Sequence, residues 1–351
     1  MPLEHLHERW RFHQRMNKKV WTNLERLKTL LATNPNKQQI LDALHPWRLS
    51  ISLKFNNTFA ILQIGIGIIL VVSSCLYFSS APWFFAALWI CSVAFCLYAY
   101  LSIEKQSDID HVINQLNAQV FQDQYQIKFN HFPTIDNSLS NPIHLLMKIR
   151  QGFDCLNEGN SDNIIDSIAS TEWEVNGHKY PVLLFHYKCV NQTAIKDHNN
   201  NVIKKEIVSH RWGAVVFDMP PLAFVVTSNA TSYPRYPIAW SSSDIQFNQR
   251  YKLAGQQELE LARNLTPLRI LSLGRNLDQL KGTLMFHDQM NAFCYISQQN
   301  IFATSPPPKP ITDISLLRGY LRTLKAPHYE NVKACLSDII VHFSEDKFFK
   351  T

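Results

Sequence analysis

Two runs without a single charge, Thr58–Phe78 and Pro82–Ile103, constrain this chain more than any other feature of it. They are 21 and 22 residues long. Each suffices to cross a hydrocarbon core of about 30 Å at 1.5 Å rise per residue. Only Ser79, Ser80 and Ala81 separate them, so as helices they must lie antiparallel and side by side. Tyr77, Phe78 and Trp83 fall near the connecting end, and Trp47, Tyr98 and Tyr100 near the other. Aromatic side chains gather at both headgroup levels of a bilayer. The pattern predicts a two-helix transmembrane hairpin over 58–103. The competing reading, a buried hairpin in a soluble core, needs two uncharged spans of full bilayer length, which soluble domains rarely contain. With 57 residues ahead of it, the first run does not read as a cleaved signal peptide.

Charge sets the expected orientation. Residues 1–57 hold ten basic and four acidic side chains, a net of +6. The rest of the chain holds 24 of each sign and is neutral. The loop between the runs is uncharged, so the positive-inside rule places the basic arm in the cytoplasm. Two spans return the chain to the same side. Both termini are therefore expected in the cytoplasm, at a bacterial inner membrane. A basic arm next to a membrane segment, with a neutral domain beyond it, argues against nucleic-acid binding. Gly65 and Gly67 in the first run lack the third glycine and strand context of a dinucleotide fingerprint, and close helix packing is their expected role. No charge inside either run marks an ion pathway.

The flanking segments read as helices. Leu3, Leu6, Trp10, His13, Asn17, Val20, Leu24, Leu27 and Leu31 alternate spacings of three and four, a heptad-like stripe ended by Asn34-Pro35. The stripe packs either on its own domain or against a partner helix. A short helix is expected from Lys37 to Leu44. Ile109, Val112, Ile113, Leu116 and Val120 carry helical spacing beyond the second run, so that helix is expected to continue through 104–125.

Residues 126–351 read as a soluble α+β domain with an antiparallel sheet and helices. Asn176-Gly177 is a type I′ turn signal. A two-residue turn there pairs Glu174 with Lys179 and Trp173 with Tyr180, joining opposite charges and aromatic rings. Strands follow at Val182–Cys189, Val202–Ser209, Trp212–Phe217 and Leu222–Thr227, read as a meander of four or five strands. Gln256–Ala262 looks helical. Thr266-Pro267 is a capped helix start. Thr283–His287, Asn291–Ser297 and Ile301–Thr304 look like strands. Pro306–Pro310 reads as a stiff spacer, and two helices close the chain near Asp313–Leu324 and Asn331–Phe343.

The block Trp212-Gly213-Ala214-Val215-Val216-Phe217-Asp218 resembles a strand of an uncharacterised bacterial family of membrane-anchored proteins, a domain of unknown function of the three-one-three-seven type. So do Phe247, Tyr251, Leu261-Ala262, Leu265-Thr266-Pro267 and the hairpin Leu284–Phe286 with Phe293–Ile296. The resemblance covers most of the chain. It implies the same layout of helical arm, membrane helices and α+β domain, and a LemA-like membrane protein as partner. It implies no activity and no catalytic residues.

Chemical signatures are few. There is no GxSxG elbow, no phosphate-binding loop and no HExxH. The seven cysteines include no CxxC pair, so neither a disulfide framework nor a zinc site is expected. His5, His7 and His13 lie in the amphipathic arm and read as a solvated helix face rather than a metal site. His186 and Cys189 invite a nucleophile–base reading, but a separation of three places them on opposite faces of a strand. Asp162 and Asp166 have helical spacing, with Asp154 nearby; paired acids can do acid–base work, but on a short helix they read as a solvated face or a negative first turn. Matches to Asn-x-Ser/Thr at Asn56, Asn191, Asn229 and Asn264 are at chance level. No catalytic residue, cofactor or metal site is assigned. The expected function is an interaction or assembly module at the inner membrane, touching the bilayer and either a second copy or a membrane partner. The alternative is a tethered, hydrolase-like enzyme with its site in 126–351. A channel or transport component is the third reading.

Overall fold

The computed structural model describes residues 15–47, 51–76, 82–135, 142–196, 202–228 and 232–348. In chain order the first elements are α1 (Lys18–Ala32), α2 (Lys37–Ala43), α3 (Thr58–Leu76), α4 (Pro82–Ser102) and α5 (Ser107–Tyr125). Then come β1 (Lys128–Phe129), α6 (Pro142–Gly152), β2 (Asp162–Val175), β3 (His178–Lys196), β4 (Val202–Val216), β5 (Phe224–Thr227) and β6 (Ile238–Trp240). The last are α7 (Ile245–Arg250), β7 (Lys252–Gly255), α8 (Glu258–Asn264), α9 (Pro267–Leu280), β8 (Gly282–His287), β9 (Ala292–Ser297), α10 (Ile314–Arg322) and α11 (Pro327–Phe348). The class is mixed α+β.

The chain divides into two units. One takes the residues up to Asp123 with Pro306–Leu324, and the other takes Gln124–Ser305 with Lys325 onward. The segment 126–351 is thus interrupted by an excursion that belongs with the N-terminal residues. Backbone pairing holds it there. Leu53 N–H donates to Thr312 O at 2.8 Å, and Ile314 N–H donates to Ile51 O at 2.8 Å. Asp313 caps α10 by accepting from Leu316 N–H at 2.8 Å.

In the first unit, Val20, Leu24 and Leu27 of α1 are buried, so the described part of the heptad-like stripe packs within its own unit. The stripe's first residues, His5, His7 and His13 included, lie outside the described residues. α5 buries Ile109, Val112, Ile113, Leu116, Val120 and Phe121. The expected unbroken run from α4 into α5 is interrupted at 103–106. The break is filled by side-chain bonding. Asn57 Oδ1 accepts from Glu104 N–H at 3.1 Å and Asn57 Nδ2 donates to Glu104 O at 2.9 Å.

α3 and α4 pack along a seam of small residues. Ala60, Gly67 and Ser74 meet the side that carries Ser92, Cys96 and Ala99. Ser92 Oγ donates to Gly67 O at 2.7 Å, and a Cβ on Gly67 would stand 2.6 Å from Cys96 Sγ. The large apolar side chains point away from the seam: Ile61 and Ile69 are each 64% exposed and Ile90 is 70% exposed. Among the described residues one stretch, Ala86–Tyr125, which takes in most of α4, the break at 103–106 and α5, is long and apolar enough to cross a membrane by length and composition. Thr58–Ser74 is a shorter apolar helix.

The second unit is built on a nine-stranded antiparallel sheet in the order β1-β2-β3-β4-β9-β8-β5-β7-β6. It departs from the expected meander at β4, which pairs with β9 rather than β5. Asn176 and Gly177 take positive φ, 51° and 76°, as a type I′ turn requires, and the register sets Glu174 against Lys179 and Trp173 against Tyr180. The sheet is covered on both faces. On one, Leu145 and Ile149 of α6 and the following Phe153 pack over Leu183, Phe185, Val215, Met285 and Ile296. On the other, α11 meets Trp173, whose indole N–H donates to Tyr329 Oη at 3.1 Å. Phe286 is ringed by Phe224 at 4.3 Å, Phe293 at 5.0 Å and Phe343 at 5.2 Å. Thr266 caps α9, its side chain accepting from Arg269 N–H. Ile301 and Phe302 form a turn rather than the expected strand.

Candidate functional site

The sequence-selected acids are not brought together. Asp162 and Asp166 lie on strand β2, not on a helix, and Asp154 sits in a 3-10 turn. A spacing of four satisfies a strand's period of two as readily as a helical turn, and the tertiary sheet decides between them. A register shift between Ile165 and Ser167 re-aims Asp166, which meets His186 Nδ1 at 3.2 Å. His186 Nε2 lies 3.0 Å from His210 Nδ1, and its ring stacks on Trp212 at 5.0 Å. Cys189 is buried on the opposite face, in the core beneath α6. Asn229 lies outside the described residues. No group of three His, Cys, Asp or Glu side chains able to hold a metal occurs among the described residues.

The larger cavity of the second unit, about 930 Å³, opens at one end of the sheet. Its wall comes from the C-terminus of α6 (Lys148, Gln151), the start of β3 (His178, Lys179), the end of β4 (Phe217, Asp218), Arg235, and the β8–β9 turn (His287, Met290). Asp218 is held at φ 63° between two backbone bonds, Phe217 N–H to Pro181 O at 3.0 Å and Met219 N–H to Asn291 O at 2.8 Å. Aspartate tolerates this left-handed geometry better than most residues. The turn sets Asp218 Oδ2 at 2.6 Å from His178 Nε2.

His287 closes the floor. It ends β8 and is buried, its ring edge-on to Phe153 at 5.7 Å. Gly152 permits this approach of α6, since a Cβ there would stand 2.7 Å from Met290 Sδ and 3.0 Å from His287 Cδ2. Burial and then the neighbouring Arg235 charge push the His287 pKa below its ordinary value, so the ring is neutral at pH 7. Its Nε2 accepts from Arg235 Nη1 and its Nδ1 lies 3.5 Å from Asp288 Oδ1. Nδ1 also faces the Met290 backbone N–H at 3.4 Å. Arg235 Nη2 also donates to Gln151 O at 3.3 Å, and Arg235 N–H to Asp154 Oδ2 at 3.3 Å. Burial likewise raises Tyr233 and Tyr236, which stand on the segment that carries Arg235.

None of the cleft residues was singled out from the sequence as a site. They come from well-separated segments of the chain, and no short motif joins them. Among the described residues the lining holds no serine or cysteine. What the arrangement offers is a polar recess with a fixed His–Asp pair.

A second cavity of about 670 Å³ lies in the first unit, at the base of the α3/α4 pair, lined in part by Lys54, Phe55, Glu104 and Asp110. Glu104 is buried there. It accepts from Trp21 Nε1 at 2.6 Å and from Asn17 Nδ2. These bonds tie the end of α4 to α1. No family model, no curated protein and no solved structure matches this chain.

Proposed function

We propose that this chain is a membrane-anchored interaction module. In this reading α3 and α4 cross the bilayer as a hairpin, both flanks stay on the cytoplasmic side of a bacterial inner membrane, and the second unit works in the cytoplasm. The carrying observation is the placement of apolar bulk on α3 and α4. Large side chains such as Ile61, Ile69 and Ile90 face outward while alanine, glycine and serine, with Gln63, fill the seam. Water penalises that arrangement and lipid does not. The Asn57 and Glu104 clamp supports the reading, because it fixes both helices at their shared end.

Membership of the membrane-anchored family of the three-one-three-seven type agrees with this layout and stays part of the proposal. A second copy or a LemA-like membrane protein is the proposed partner. The α1 stripe is used inside its own unit, so the assembly surface is the outward face of α3 and α4 instead. Purification from native membranes in a mild detergent, followed by intact mass measurement, tests this. A fixed stoichiometric assembly is expected, and a lone monomer sinks the module reading.

One observation favours a second reading, a tethered enzyme. The His178–Asp218 pair at 2.6 Å has the geometry of a general base and its orienting carboxylate. Turnover of a small-molecule library that disappears in His178→Ala would establish it, and activity unchanged in that variant would end it.

A further inference from the structure

We infer that the cleft of the second unit is a binding site for a small dianion of the phosphate-monoester class, held by Arg235 and Lys148.

Some of the charges in the lining already have partners. Lys179 pairs with Glu172 at 3.8 Å, and Asp218 is hydrogen-bonded to His178 at 2.6 Å. Two cations remain. Arg235 is half-buried, and among the described residues its guanidinium bonds neutral acceptors, the His287 ring and the Gln151 carbonyl. Asp154 takes the backbone N–H of Arg235, and Asp288 faces the His287 ring. Among the described residues neither carboxylate forms an ion pair with the guanidinium. Lys148, on α6, lines the same cavity and has no ion pair among the described residues.

A cation held by neutral partners at the wall of a cavity is oriented without being neutralised. His287 supplies the orientation. Kept neutral by burial, it accepts one guanidinium N–H and adds no competing charge. A guanidinium has five N–H donors in a rigid fork, so donors remain after the two neutral acceptors are served. That fork matches the oxygens of a phosphate, and a lysine supplies the second charge. A phosphate monoester carries close to two negative charges at neutral pH, which balances the two cations. The volume, about 930 Å³, takes an organic body as well, and Phe217, Met290, Ile135 and Pro181 give it an apolar wall.

The ester has two sources, a soluble metabolite or a phosphorylated lipid headgroup. The experiment is calorimetric titration of the full-length protein in detergent with inorganic phosphate, glycerol 3-phosphate and a short-chain phosphatidate, at fixed ionic strength set with chloride. Saturable phosphate binding is expected. Arg235→Gln and Lys148→Gln should each weaken it by about tenfold or more, the size of a charge-assisted hydrogen bond. The double variant should abolish it. Arg235→Lys should recover only part, because it keeps the charge and loses the fork. Circular dichroism and the unfolding midpoint of each variant separate lost binding from lost fold. Tighter binding of glycerol 3-phosphate identifies a soluble ester, and tighter binding of the phosphatidate identifies a headgroup; either sustains the site. Absence of saturable phosphate binding, or binding that persists in a folded double variant, overturns it.

Discussion

The α3/α4 pair and the nine-stranded sheet are assembled from the same apolar residue types placed in opposite senses. In the sheet the bulk is inside. Trp173, Tyr180, Phe224, Phe286 and Phe293 are all buried, while charges such as Glu172, Glu174 and Lys179 face out. In the helix pair the interior is Ala60, Gly67, Ser74, Ser92 and Ala99, while Phe59, Ile61, Ile69 and Ile90 face out. Interior packing can be satisfied by either rule, since both bring atoms into van der Waals contact. The difference lies in what the outer surface meets. A sheet that hides its aromatics gains from water's exclusion of them. A pair that hides its smallest residues gains nothing from that source and brings its backbones close instead, which is how helices associate in lipid.

The contrast breaks or sharpens under substitution. Phe286→Ala empties the centre of a four-ring cluster and should cost about 3–5 kcal/mol. The outward-facing Ile69→Ala should leave the unfolding midpoint of the second unit unmoved. Thermal unfolding followed by near-UV circular dichroism compares them, and equal losses would mean that the two regions are built alike. Ile69→Arg is the converse probe. At the middle of a lipid-facing helix an arginine costs about 2.5–3.5 kcal/mol of insertion, so the membrane-bound share of the protein should drop. On a water-facing helix it would leave that share unchanged.

Smaller effects test the local chemistry of the sheet unit. Thr266→Ala removes the cap of α9 and should lower stability by about 1 kcal/mol, read from a urea midpoint at unchanged slope. His287 gives a pH signature. Its pKa is lowered in the folded protein by burial and by Arg235, so the unfolded chain binds the proton more readily. Stability from this group is therefore present above the ordinary histidine value and is lost as pH falls below about 6.5. His287→Gln keeps an acceptor for Arg235 and removes the titration. The variant's midpoint should fall less than the parent's between pH 7 and pH 5.5, and parallel curves would remove His287 from the account.

Much of the second unit was legible because its signals are local. Asn176-Gly177 demands positive φ at two adjacent residues, and the cross-strand pairs follow from the turn length alone. Thr266-Pro267 is legible for the same reason, being a cap and a first-turn proline in adjacent positions. What failed to read was non-local. Nothing near Val216 indicates that its neighbour will be Phe293, because the pairing is chosen by two buried faces meeting across the fold. The excursion Pro306–Leu324 joins the first unit through backbone bonds at Leu53 and Ile314, which leave no side-chain trace in the sequence. Asp162 and Asp166 misled because a spacing of four fits both periods. The cleft was the least legible part. Lys148, His178, Asp218, Arg235 and His287 are individually ordinary, and only the closure of the sheet places them around one recess.

The central claim is that the outward-facing apolar bulk of α3 and α4 is solvated by lipid, and it is tested most directly on the full-length protein in native membranes. The measurement is extraction with alkaline carbonate, followed by separation of pellet and supernatant. Retention in the pellet, with release only by detergent, is the predicted result; full release into the carbonate supernatant would contradict it.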